Sequence, residues 1–219
     1  MARRDRSSRS RDAPQAHSGP PPAEVFRLGA VPGATPGKWI SLWRERMPRT
    51  RLELEEIAPT SQRDQLLAGA VDAALVRLPI DKTDLHAISL YDEVPVVVFS
   101  SDSSLSVAEE LAPEDLAGEV LIVPEDDVLQ PAVPGTIAPR FAAPADTKAA
   151  VELAATGVGI LIVPMSLARL HHRKDVAYRP LSGGPVSSVA LAWVAERTTP
   201  EVEAFVGIVR GRSVNSSRS

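Results

Sequence analysis

The 219-residue chain contains no cysteine, which excludes disulfides, thiolate nucleophiles and Cys-ligated zinc or iron–sulfur centres. It also has no apolar run approaching the roughly 20 residues needed to cross a bilayer; the longer runs, such as 94–99 and 159–163, are strand-sized. The basic N-terminus is followed by no apolar stretch, so neither a signal peptide nor a membrane anchor is expected, and the expected location is the cytoplasm. The four histidines, His17, His86, His171 and His172, lack metal-ligand spacing. There is no serine–histidine–acid arrangement with supporting context and no nucleophile elbow. The glycine loop at 29–33 lacks the lysine and hydroxyl of a phosphate cradle, and Gly157 follows a helix instead of preceding one, the place of a left-handed helix end. No catalytic residue, metal or cofactor is therefore predicted, and the chain is not expected to be an enzyme.

What is present is ample core material, with 44% hydrophobic residues, and an uneven charge distribution. Residues 1–12 carry five Arg against Asp5 and Asp12, and the last ten residues add Arg210, Arg212 and Arg218 with no acid. Setting both ends aside leaves 16 basic and 26 acidic residues, a formal charge of -10. A core that acidic is a poor surface for nucleic acid, whose binding rests on neutralising phosphates. The Arg-rich ends either touch nucleic acid or are simply solvated.

Residues 1–23, rich in Arg, Ser and Pro, read as a disordered tail, and 210–219 as a basic C-terminal tail. Between them apolar runs alternate with helical periodicity. Strands are expected at 25–31, 51–57 and 73–76, with helices at 36–47 and 62–68. An extended run follows at 92–101, then a helical turn at 113–116, a strand at 120–123, a Pro-rich loop and a short strand at 140–142. Helix 147–156, strand 159–163, a helix near 166–171, strand 186–194 and helix 200–209 complete the pattern. The expected fold is α/β, two Rossmann-like lobes joined by two crossing strands, with helices on parallel sheets. Lobe I takes 24–95 plus 186–209, and lobe II takes 96–185. A cleft between the lobes follows from that topology.

Three helix starts are candidate anion sites, because free N–H groups and the helix dipole favour negative charge. Thr35 precedes Pro36 as an N-cap before proline at the first helical position. Ser61, with Asp64 three residues on, has the pattern of a capping box. Asp146 or Thr147 caps the third. Arg77, at a strand's carboxyl end, either pairs with a carboxylate ligand or forms a surface ion pair with Asp81. The acidic triple Glu125, Asp126 and Asp127 either holds a cation, repels unsuitable ligands, or is an exposed loop. Trp39, Trp43 and the strand 51–57 are either interface pieces or packing beneath the first sheet.

Residues 61–79, SQRDQLLAGAVDAALVRLP, resemble the effector domain of LysR-type transcriptional regulators in Leu66, Leu67, Gly69, Val71, Asp72, Ala73, Ala74 and Leu75. Residues 149–164, AAVELAATGVGILIVP, resemble the family's helix, glycine turn and strand ending in proline. The resemblance covers about 25–209 and implies a type II periplasmic-binding-protein fold, an interlobe effector cleft and a side-by-side homodimer. By position it places effector contacts at Thr35 and Pro36, Thr60 and Ser61, Phe99 and Ser100, and Thr147. A helix-turn-helix is absent from these residues, so no sequence-specific DNA binding by this chain alone is expected. The expectation is a ligand sensor in transcriptional regulation, working through a partner and binding a small anionic metabolite, an organic acid or an amino-acid-like effector. The alternatives are an enzyme of the same fold acting on a small organic acid, and a nucleic-acid-associated protein using its Arg-rich ends.

Overall fold

A computed structural model describes residues 24–211; the expected tails at 1–23 and 212–219 lie outside them. The chain runs β1 (Glu24–Ala30), α1 (Gly37–Arg46), β2 (Thr50–Glu56), α2 (Gln62–Ala68), β3 (Ala73–Arg77), β4 (Leu85–Glu93), β5 (Pro95–Ser100) and β6 (Leu121–Ile122). It continues α3 (Thr147–Ala155), β7 (Ile160–Pro164), α4 (Met165–Leu170), β8 (Val176–Pro180), β9 (Ser187–Val194) and α5 (Pro200–Val209). No helix among the described residues is long and apolar enough to cross a membrane.

Two sheets form, one per lobe. The first has the order β2-β1-β3-β9-β4 and the second β6-β7-β5-β8. The chain passes between them twice, from β4 to β5 through Val94 and from β8 to β9 through 181–186. Each sheet is covered on both faces, because its strands bury alternate residues in opposite directions. On one face of the first sheet Phe26, Leu28, Leu75 and Leu191 pack against Trp43 of α1 and Phe205 of α5; on the other, Ala74, Val76, Ala190 and Ala192 pack against Leu66 of α2. In β5, Val96 and Val98 meet Ala150, Val151 and Ala154 of α3, while Val97 and Phe99 face Leu105 and Leu116. Phe26 and Trp43 stack with ring centroids 4.6 Å apart, and Phe205 closes the trio at 5.4 and 5.9 Å. Trp43 is fully buried and its indole N–H donates to the Thr50 carbonyl at 3.0 Å. It is a core residue beneath the first sheet.

Several expectations are corrected. The sheets are mixed: β1 pairs parallel with β2 and β3, but β9 is antiparallel to both β3 and β4. In the second sheet β5 is antiparallel to β7 and β8, because it enters from the other lobe and not from a helix crossover. The extended run at 92–101 is two strands broken at Val94. Residues 140–142 form no strand; the segment that meets Val120 is at Ile137. Strands β4 and β8 are additional to the sequence reading. Gly157 does end α3 in the left-handed region, at φ +78°.

Candidate functional site

The lobes enclose a cleft of two adjoining compartments that share Pro32, Glu56 and Leu170. The larger, about 710 Å³, lies between the loop after β1, the end of β2, the Tyr91–Val94 crossing and the start of α4. The smaller, about 390 Å³, lies between Arg77, Asp126, Thr147 and His171. Carboxyl ends of strands thus deliver the first lobe's side of the cleft, as open α/β sheets generally do.

Arg77 ends β3 and is the central polar residue. Only 4% exposed, it donates through Nη1 to the Glu93 carboxylate and to Ser187 Oγ at 2.7 Å. Nη2 reaches the Pro32 carbonyl at 3.0 Å and, across the cleft, Ser166 Oγ at 3.4 Å. Glu93 and Ser187 are themselves paired across β4 and β9, so the guanidinium braces both interlobe crossings. Gln62 holds the Arg77 backbone at both polar groups, at 2.9 Å each. The surface pair with Asp81 does not form. Asp81 instead accepts from the Thr83 amide and hydroxyl, with Arg63 3.3 Å away, and these bonds hold its carboxyl below the ordinary value.

The loop Pro32–Gly33 closes against the second lobe. Gly33 has φ +85°, and a Cβ there would lie 2.4 Å from Ser166 Oγ, so only glycine permits this approach of the lobes. Tyr91 is half-buried on the crossing; burial, reinforced by the nearby Glu93 charge, pushes its phenol above the ordinary value, against the smaller effect of Arg77 and the Thr35 backbone.

The helix starts behave differently from their sequence patterns. Helix α1 begins at Gly37 with Pro36 in the cap position and no side-chain cap, so Thr35 is an exposed cleft residue and not a cap. Ser61 makes no capping box, because a 3-10 turn at Pro59–Ser61 runs into α2 and its hydroxyl donates back to the Ala58 carbonyl at 3.3 Å. Ser61 lines a separate small hollow of the first lobe, and Thr60 is exposed outside both compartments. At α3 the cap is Asp146, accepting from the Ala149 amide at 2.7 Å. Thr147, 3% exposed, lines the smaller compartment but gives its hydroxyl proton to Asp126 at 2.8 Å. Asp127 caps the amides of Leu129 and Gln130, so the acidic triple is partly engaged in the loop.

Phe99 and Ser100 are not at the crossing. Phe99 is 1% exposed in the second lobe's core, and Ser100 Oγ accepts from the Asp102 amide at the far end of β5. The structure therefore brings Thr35, Arg77 and Thr147 to the cleft and leaves Pro36, Thr60, Ser61, Phe99 and Ser100 outside its lining. Glu56, Tyr91, Asp92, Glu93, Ser166 and Arg169 line it unannounced by the sequence reading. The one local signal for part of this set was the break at Val94-Pro95, which marks the crossing.

Two sheets joined by two crossings around a ligand-sized cleft define a two-lobed binding domain of the type II periplasmic-binding-protein kind. The model of the LysR substrate binding domain matches residues 20–213, and the chain belongs to that family. The Hca operon transcriptional activator HcaR of Escherichia coli (strain K12) is 28% identical over 199 residues, 84% of this chain and 67% of the relative. The HTH-type transcriptional regulator AlsR of Bacillus subtilis (strain 168) is 23% identical, over 81% of this chain and 62% of its own. The chain thus spans about two thirds of the length of these curated relatives. The reduced OxyR regulatory domain from Pseudomonas aeruginosa superposes with a TM-score of 0.65 at 25% identity, covering 86% of this chain and 98% of that one. The BenM effector-binding domain with its effector benzoate gives 0.69 at 20% identity, covering 86% and 91%.

Proposed function

We propose that this chain is the sensing part of a transcriptional regulator and that a small-molecule effector binds between its lobes. The observation that carries this reading is the pair of compartments at the interlobe crossings, of a volume suited to a metabolite. Effector binding alters the spacing of lobes that already touch through Arg77 and Ser166, and that change is what a DNA-binding partner reads. BenM, solved with benzoate, supports a small organic effector for this fold. The chain works in the cytoplasm as a homodimer, its sequence-specific DNA contact supplied by a helix-turn-helix outside these residues. Thr35 and Thr147 contribute to effector binding from opposite lobes, while Arg77 organises the cleft.

The test is a thermal-shift screen of organic acids and amino acids, since a ligand that binds only the folded state raises apparent stability. A reproducible shift diminished in Thr35→Ala or Thr147→Ala supports the reading. A chain whose melting point no small molecule moves, but which captures a protein partner equally with or without metabolites, would be a scaffold instead. Light scattering checks the dimer.

A further inference from the structure

A guanidinium has five N–H donors, and the chain uses four of those on Arg77. Nη1 gives to Glu93 and Ser187; Nη2 gives to the Pro32 carbonyl and, at the longer distance of 3.4 Å, to Ser166 Oγ. The fifth donor, Nε, is buried and meets no acceptor among the described residues. An unpaired buried donor is destabilising, so this position calls for an oxygen. Arg77 lines the smaller compartment and not the larger, and that is the side from which an oxygen reaches it. Nε is covered while the lobes touch. The Ser166 contact, the longest of the four and the only one made with the second lobe, is the one that gives way to admit a ligand.

The surroundings decide what kind of oxygen fits. A carboxylate seats best on two parallel donors, and only one is left here. The charge of Arg77 is already matched by buried Glu93. Beside Arg77 the lining adds Lys148 against Glu56, Asp126 and Asp146, so the compartment holds no surplus positive charge for an anion. A neutral carbonyl needs neither a second donor nor a counter-charge. The other polar groups of the wall have the complementary character. Thr147 gives its hydroxyl proton to Asp126, which leaves the Thr147 oxygen and the Asp126 carboxylate as acceptors. One donor facing acceptors is the pattern that an amide answers, with C=O toward the donor and N–H toward the acceptors. Val128, Leu167 and Leu170 supply an apolar wall for the rest of the molecule.

We propose that the effector presents a neutral amide to the smaller compartment, its carbonyl accepting from Arg77 Nε and its N–H donating to Asp126. Carboxamides, lactams and ureas on an apolar body make up the class. The proposal rests on the effector-binding reading above and departs from the expectation of an anionic metabolite. Because Arg77 and Asp126 stand on different lobes, such a ligand bridges them where the Ser166 contact had done so.

The test uses the full chain and three probes of nearly equal shape: benzamide, which has both groups, acetophenone, which has the carbonyl alone, and benzoate. Calorimetric titration is expected to rank benzamide above acetophenone by about tenfold, the size of one hydrogen bond to a charged group, with benzoate unbound. Asp126→Ala is expected to bring benzamide down to the level of acetophenone and leave acetophenone unchanged. Magnetic resonance of isotope-labelled arginine reads the donor without altering the fold: the Arg77 Nε–H signal is expected to move on addition of benzamide and acetophenone and not of benzoate. Binding of benzoate alone overturns the amide assignment and leaves the effector reading standing. Benzamide that binds without moving the Nε–H signal overturns the role of Arg77. An Nε–H that exchanges magnetisation with water and responds to none of the probes shows a buried water in that place and overturns the proposal; the effector reading falls with it only when the wider screen of organic acids and amino acids is silent as well.

Discussion

The Arg77 guanidinium and the Glu93 carboxylate form an ion pair across β3 and β4 at 4% and 8% exposure, at the place where the chain leaves one lobe for the other. A buried pair of this kind contributes modestly as a pair, yet breaking it strands a charge. Glu93→Ala is expected to cost about 3–5 kcal/mol, measured by chemical denaturation, whereas Arg77→Met with Glu93→Leu recovers most of that loss. Equal losses in the single and double variants would show that the pair is not the source of the effect.

The aromatic trio of the first lobe gives a second expectation. Phe205 is fully buried against Phe26 and Trp43, and α5 has few other anchors of comparable size. Phe205→Ala is expected to destabilise the fold by about 3–5 kcal/mol. Phe205→Leu keeps much of the volume and should cost clearly less. A thermal melt distinguishes them.

Gly33→Ala combines a disfavoured left-handed conformation with a collision at Ser166. The expected loss is about 1–3 kcal/mol. Ser166→Gly in the same chain should restore the steric part and leave the conformational part, so the double variant falls between the single variant and the parent. A double variant no better than Gly33→Ala would mean the lobes do not meet there in solution.

Tyr91 predicts an alkaline signature. Its phenol is raised by burial and by the Glu93 charge, so the neutral form is favoured in the folded state. The corresponding stability is fully present below the unfolded value of about 10 and is lost as pH rises through the higher folded value. The chain has two tyrosines; in Tyr178→Phe, ultraviolet titration reads Tyr91 alone. A midpoint at or below that of free tyrosine would contradict the geometry.

Much of the fold was legible because it rests on local periodicity. Helices α2 and α5 repeat apolar residues at helical spacing, and the aliphatic runs of β5 and β7 are buried on both faces. Strand β4 escaped because its register slips between Ser89 and Tyr91, which breaks the alternation that marks a strand. Strand β8 is only half-buried throughout and carries the charged Arg179 beside its final residue. The site was less legible for a different reason. Thr147 reads as an open helix start until Asp126, 21 residues earlier, is placed beside it. Similarly, Glu56, Asp92 and Arg169 come from three separate elements, and nothing in their own neighbourhoods announces a shared cleft.

The position of β9 inside the first sheet, between β3 and β4, also sets a timetable for synthesis. As the chain leaves the ribosome, β4 waits without a strand neighbour while all four strands of the other lobe emerge and pair. The lobe that begins the chain is thus the later one to be completed. During that interval the exposed edges of β3 and β4 are the surface a chaperone would shield, and the place where two nascent copies would first adhere.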